Sequence, residues 1–96
     1  MKQTINEEAR ELFRAILSLS SEEECAAFFE DICTVKEIQD LSQRLQVAQM
    51  LNRGEKYQTI EQATGASTAT ISRVNKCLVY GSGGYQTVLQ KKRNDQ

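Results

Sequence analysis

The sequence predicts an all-α fold. Among its 96 residues there is no proline to break a helix, and no strand-length run alternates β-branched or aromatic residues with polar ones. Apolar residues recur instead at i, i+3, i+4 and i+7, the spacing that lines one face of an α-helix. A chain this short makes one domain, residues 1–96, near the lower size at which a core suffices alone, so self-association is expected.

Three Ser/Thr-x-x-Glu boxes mark helix starts in the first half: Thr4-Ile5-Asn6-Glu7, Ser21-Glu22-Glu23-Glu24 and Thr34-Val35-Lys36-Glu37. In each, the hydroxyl accepts from an orphan amide while the glutamate reaches back. After the first box, Ala9, Leu12, Phe13, Ile16 and Leu17 form an apolar stripe; after the second, Cys25, Phe28, Phe29, Ile32 and Cys33 do so. The third helix is longest, with Ile38, Leu41, Leu45, Ala48 and Leu51 in a stripe that Val47 and Met50 widen. So wide a face exceeds what one neighbour in a small bundle covers, which favours a partner chain. Arg53-Gly54-Glu55 closes this helix with a glycine cap.

Residues 57–80 read as two short helices joined at Thr64-Gly65-Ala66-Ser67. A steep joint needs a residue that tolerates positive φ, supplied by Gly65, and Ser67 then caps the second helix. Ile71, Val74 and Leu78 give that helix a buried stripe. Its opposite face, starting with Ser67, Thr68, Ala69, Thr70, Ser72 and Arg73, is small, polar and free of acid. Such a helix can enter a DNA major groove and touch base edges. The plainer alternative is an exposed helical hairpin in an ordinary bundle, with Thr68 and Thr70 serving only cap and surface chemistry. A loop, Gly81-Ser82-Gly83-Gly84, leads to a last amphipathic helix over 84–93 with Tyr85, Val88 and Leu89 on one side, then Lys91, Lys92 and Arg93 lead into a polar tail.

Charge separates the two ends of the chain. Residues 1–40 carry ten acids against four bases, a balance of −6, and residues 41–96 carry eight bases against three acids, a balance of +5. Phosphate attraction needs a local positive face rather than a basic total, so a net charge of −1 does not exclude double-stranded DNA as partner. Arg53, Lys56 and Lys76 are placed as phosphate contacts. The chain has no histidine, no paired carboxylates across a glycine-lined cleft and no phosphate loop, which argues against an enzyme. Cys25, Cys33 and Cys77 read as small core residues of a reducing cytosol, with no metal site expected. No membrane span or export signal is read, and a cytoplasmic location is expected. An adaptor that uses the same helices to contact the transcription machinery stays open as an alternative to DNA binding.

With these residues in place, the chain resembles the Trp repressor family and, within it, the YerC/YecD group of bacterial repressor-like proteins. The resemblance runs from about Thr34 to Leu89 and is strongest at Leu51-Asn52-Arg53-Gly54-Glu55, at Gln58 and across Gly65 to Arg73. It implies an intertwined, all-helical homodimer in which residues 5–53 hold the dimerisation helices and residues 57–80 form a helix-turn-helix head. It also implies a transcriptional regulator, a repressor by family habit. The family's DNA-reading positions fall on Gln58, Thr68, Ala69, Thr70 and Ser72. Thr59 stands near the point where the enteric member has an arginine base contact, so the trp operator is not the expected target.

The resemblance further places an effector pocket at Thr34, Arg44 and Arg73, with the two arginines around a ligand. Against this, Arg44 has Asp40 one turn earlier as an ion-pair partner, and Arg73 suits a phosphate. Val74 stands where the repressor has glycine, and Asp31 and Cys33 replace apolar positions, all of which disfavour tryptophan. No cofactor is expected; a small-molecule effector stays open.

Overall fold

The computed structural model describes residues 5–94, with side chains to residue 91. Within them are six helices and no strand: α1 Glu7–Leu17, α2 Glu22–Ile32, α3 Val35–Asn52, α4 Tyr57–Thr64, α5 Thr68–Tyr80 and α6 Gly84–Asn94. The chain divides between Ile38 and Gln39 into two compact units.

In the first unit, local side-chain chemistry sets the helix ends. The cap of α1 is Asn6, whose Oδ1 accepts from the Ala9 amide at 2.8 Å. This corrects the Thr4 box, because an Asx side chain two residues nearer the apolar stripe supplies the oxygen; Thr4 itself lies outside the described residues. Ser21 caps α2 as expected, accepting from the Glu24 amide at 3.1 Å. The Glu24 carboxylate, however, reaches back to the amide of Ser20 at 2.8 Å rather than that of Ser21. At α3 the box closes in full: Thr34 Oγ1 accepts from the Glu37 amide at 3.1 Å, and Glu37 Oε1 accepts from the Thr34 amide at 2.8 Å.

No residue described between 5 and 38 is buried. Leu12, Phe13, Leu17 and Ile32 are exposed, and the Phe28 and Phe29 rings meet edge to face with centroids 5.8 Å apart. The apolar stripes of α1 and α2 are present in pattern but only partly covered, Ile16, Cys25, Phe28, Phe29 and Cys33 being half-buried.

The second unit holds the core: Val47, Ala48, Met50, Ile60, Ala66, Ile71, Val74, Leu78 and Leu89, with Leu51, Tyr57 and Tyr85 packed against it. The stripe expected on α3 splits in two. At about 100° per residue, Val47, Met50 and Leu51 share one arc while Ile38, Leu41 and Leu45 share another. The first arc is covered, and Leu41 and Leu45 stay exposed. The end of α3 is a Schellman motif, in which the Gly54 amide donates to Leu51 O at 2.9 Å and the Glu55 amide to Met50 O at 3.1 Å. Gly54 takes φ 82°.

Two further expectations change here. The cysteines are not core residues: Cys25 and Cys33 are half-buried, and Cys77 is exposed because it lies about 100° around α5 from the buried Leu78. In α6, Leu89 is buried and Tyr85 packs on the core, but Val88 turns outward. The helix itself, expected over 84–93, runs from Gly84 to Asn94. Among the described residues no helix is long and apolar enough to cross a membrane, and no cluster of His, Cys, Asp or Glu could hold a metal ion.

Candidate nucleic-acid interface

The joint between α4 and α5 is built as its sequence demands. Gly65 adopts φ 75°, ψ 3°, and its amide donates to Glu61 O at 2.9 Å, ending α4. Thr64 secures the corner from both sides, its hydroxyl donating to Ile60 O at 2.7 Å and accepting from the Ala66 amide at 3.1 Å. From α3, Gln43 Nε2 donates to Thr64 O at 3.1 Å. Ala66, 4 % exposed, is buried in the angle, where a larger side chain would force the helices apart. Ser67 caps α5 by accepting from the Thr70 amide at 3.1 Å.

From this corner α5 presents two opposed stripes. Ile71, Val74 and Leu78 face the core, at 0 %, 2 % and 9 % exposure. Ala69, Ser72, Arg73 and Lys76, at i, i+3, i+4 and i+7, make the opposite stripe, and all four are exposed. Thr68 and Thr70 flank it on either side. The Leu78 carbonyl also accepts from Gln86 Nε2 at 3.2 Å, which ties α6 to the far end of α5. Hence the outer face of α5 is held on an element secured at both ends.

The other sequence-derived positions are distributed around this face. Gln58 is exposed in the first turn of α4, preceded by the exposed Lys56, which occupies the cap position without a side-chain capping bond. Arg53 follows α3 and is engaged locally, its Nη2 2.7 Å from Glu55 Oε2. Thr70 is half-buried, and its Oγ1 accepts from Ser67 Oγ at 3.1 Å.

The positions assigned to an effector are less uniform. Arg44 is half-buried and Arg73 exposed, while Thr34 belongs to the first unit and has its hydroxyl in the α3 cap. Val74 is buried within the core of the second unit rather than standing free beside Arg73, from which it is turned by about 100°.

One residue of the candidate interface escaped the reading of the sequence. Glu61, half-buried on α4, accepts a hydrogen bond from Thr68 Oγ1, the hydroxyl of the first residue of α5. The available signal was that Glu61 is the single acid between Tyr57 and Leu78. A lone acid in a segment suited to phosphate needs a reason.

Comparison with known proteins agrees with this geometry. The family profile for the Trp repressor protein matches residues 7–93. YerC of Bacillus subtilis strain 168, itself uncharacterized, is 53 % identical over 89 residues, covering 93 % of this chain and 86 % of YerC. The crystal structure of a candidate Trp repressor from Staphylococcus aureus superposes with a TM-score of 0.91 at 51 % identity, covering 97 % of this chain and 96 % of that one. A TrpR-like protein from Eubacterium eligens ATCC 27750 gives a TM-score of 0.87 at 51 % identity, with 90 % and 89 % covered. An all-α chain with its helix-turn-helix at α4–α5, matched along nearly its whole length, belongs to the Trp repressor family.

Proposed function

We propose that this protein is a sequence-specific, DNA-binding transcriptional regulator that acts as a homodimer and inserts α5 into the major groove. The observation that carries the reading is the opposition of the two stripes on α5. Three apolar residues anchor the helix in the core, and Ala69, Ser72, Arg73 and Lys76 are left outward with no acid among them. A helix that served only to pack would have no need of a small, polar, cationic outer stripe beginning at its capped N-terminus.

Each residue takes a role its chemistry fits. Lys56, Lys76 and Arg53 contact phosphates and set register, Arg53 by exchanging Glu55 for a phosphate oxygen. Ser72 offers a hydroxyl to a base edge, Ala69 a methyl to thymine, and Thr70 both. Gln58 and the Ser67 cap lie at the approach to the groove. Homodimer formation is supported by the exposed Leu12, Phe13, Leu17 and Ile32 on α1 and α2 and by Leu41 and Leu45 on α3. Repression in the cytoplasm is the mode that family membership favours. Tryptophan is not the effector in this reading, because Val74 fills with core what the repressor leaves open with glycine.

Genome-wide mapping of DNA bound by the protein in its own organism tests the proposal. Wild type should recover discrete sites that share a sequence, and a variant with Ser72 and Arg73 changed to alanine should lose them. Uniform recovery of DNA by both would overturn it.

A further inference from the structure

We infer that Glu61 sets the hydrogen-bonding polarity at the head of α5, so that Thr68 meets the major groove as an acceptor and selects adenine or cytosine on the strand it faces. The inference rests on the DNA-binding reading above. Its basis is the hydrogen bond in which Thr68 Oγ1 donates to Glu61 Oε1. An ionised carboxylate has no proton and can only accept, whereas a threonine hydroxyl owns one proton and two lone pairs. The proton of Thr68 is therefore committed to Glu61. What the hydroxyl retains for a base is lone pairs, and the carboxylate beside it adds more.

Base edges in the major groove divide on this property. Adenine N6 and cytosine N4 are amino donors, while guanine O6 and N7 and thymine O4 are acceptors. Against the Thr68–Glu61 pair, adenine or cytosine gains a hydrogen bond. Guanine or thymine instead brings lone pairs against lone pairs, desolvated and unpaired.

The placement of the acid supports a reading role over an incidental one. A free carboxylate at this surface would only repel phosphates. Although Glu61 belongs to the last turn of α4, its carboxylate is bonded to the first residue of α5 and so sits beside that helix's N-terminus, where the dipole favours negative charge. Thr70 is the opposite case on the same helix: its Oγ1 accepts from Ser67 Oγ at 3.1 Å, which leaves its own proton for a base acceptor. Two threonines of one turn thus present opposite polarities, and it is Glu61 that makes them differ.

The experiment is selection from a random duplex pool with the full-length protein, followed by affinity measurements with each of the four bases at every half-site position. Wild type should prefer adenine or cytosine over guanine or thymine at one position by about tenfold. Thr68→Val and Glu61→Ala should flatten the preference at that same position and leave the others, while Thr68→Ser, which keeps the hydroxyl, should retain it. Glu61→Leu, which keeps much of the bulk and removes both acceptor oxygens, flattens the same position and serves if the alanine variant does not fold. The inference is overturned, and DNA binding is not, if the Glu61 variants keep the preference or if the position altered by Thr68→Val prefers guanine or thymine. A wild type that enriches no sequence overturns both.

Discussion

Gln43 on α3 donates through Nε2 to the carbonyl oxygen of Thr64 at 3.1 Å, so the long helix holds the corner of the helix-turn-helix directly. This carbonyl belongs to the last turn of α4, where helical partners run out. A single side chain thereby couples α3 to the angle at which α5 is presented.

Removing that bond should loosen the head without unfolding the core. Gln43→Ala is expected to cost about 1 kcal/mol, the net worth of a partly buried hydrogen bond. For a domain of this size that is a melting temperature lower by about 4–8 °C. Thermal unfolding followed by circular dichroism reads the change, and an unaltered transition would remove Gln43 from the account.

Dimerisation should be inseparable from folding. No residue described between 5 and 38 is buried, and such a segment cannot offset its conformational entropy by its own contacts. Sedimentation should give a dimer at micromolar concentration, with a melting temperature that rises with protein concentration. Leu45→Glu, which places a charge on the exposed arc of α3, should abolish cooperative unfolding. A folded monomer, from either protein, would contradict this.

Phosphate and base contacts should separate in their salt and sequence dependence. Lys56→Ala and Lys76→Ala should weaken binding to all duplexes alike and reduce the salt slope by about one unit per contact and per subunit. Thr70→Ala should change preference at one base pair of each half-site, at a cost of about 1 kcal/mol or more. If all three variants behave alike across duplexes, the assignment of α5 to the groove fails.

Free tryptophan should neither bind tightly nor raise DNA affinity. Val74 is 2 % exposed in one cluster with Ile60 and Ile71, so the space a glycine would leave beneath α5 is occupied. Inserting an indole there costs about 1–3 kcal/mol of overpacking, or one to two powers of ten in affinity. Calorimetry is the check, and a saturable tryptophan signal in the micromolar range would show that the site has survived.

Much of this architecture was legible in the sequence because it is written in short-range chemistry. The Thr34–Glu37 box, the Gly54 and Gly65 caps and the Ser67 cap each depend on residues within a few positions, and each formed where the residue types put it. The Ile71–Val74–Leu78 stripe was equally readable from its period. Asn6 displaced Thr4 as a cap because two suitable oxygens stood two residues apart, a choice that propensity alone does not make. The two arcs of α3 follow from its period, but which of them the core covers was hidden, since that depends on α4, α5 and α6, which lie further along the chain. The pairing of Glu61 with Thr68 was missed for a different reason. They lie on separate helices, seven residues apart, and meet only because Gly65 sets the angle between α4 and α5.

The central claim is that two copies of α5 read two half-sites of one DNA duplex, and binding-site selection with the wild-type dimer tests it most directly. The account predicts enrichment of an inverted repeat whose half-sites are about one helical turn apart, bound by two chains, with the enriched bases lost when Ser72 and Arg73 are changed. A pool that stays random after selection, or an enriched site without two-fold symmetry bound by a single chain, would contradict it.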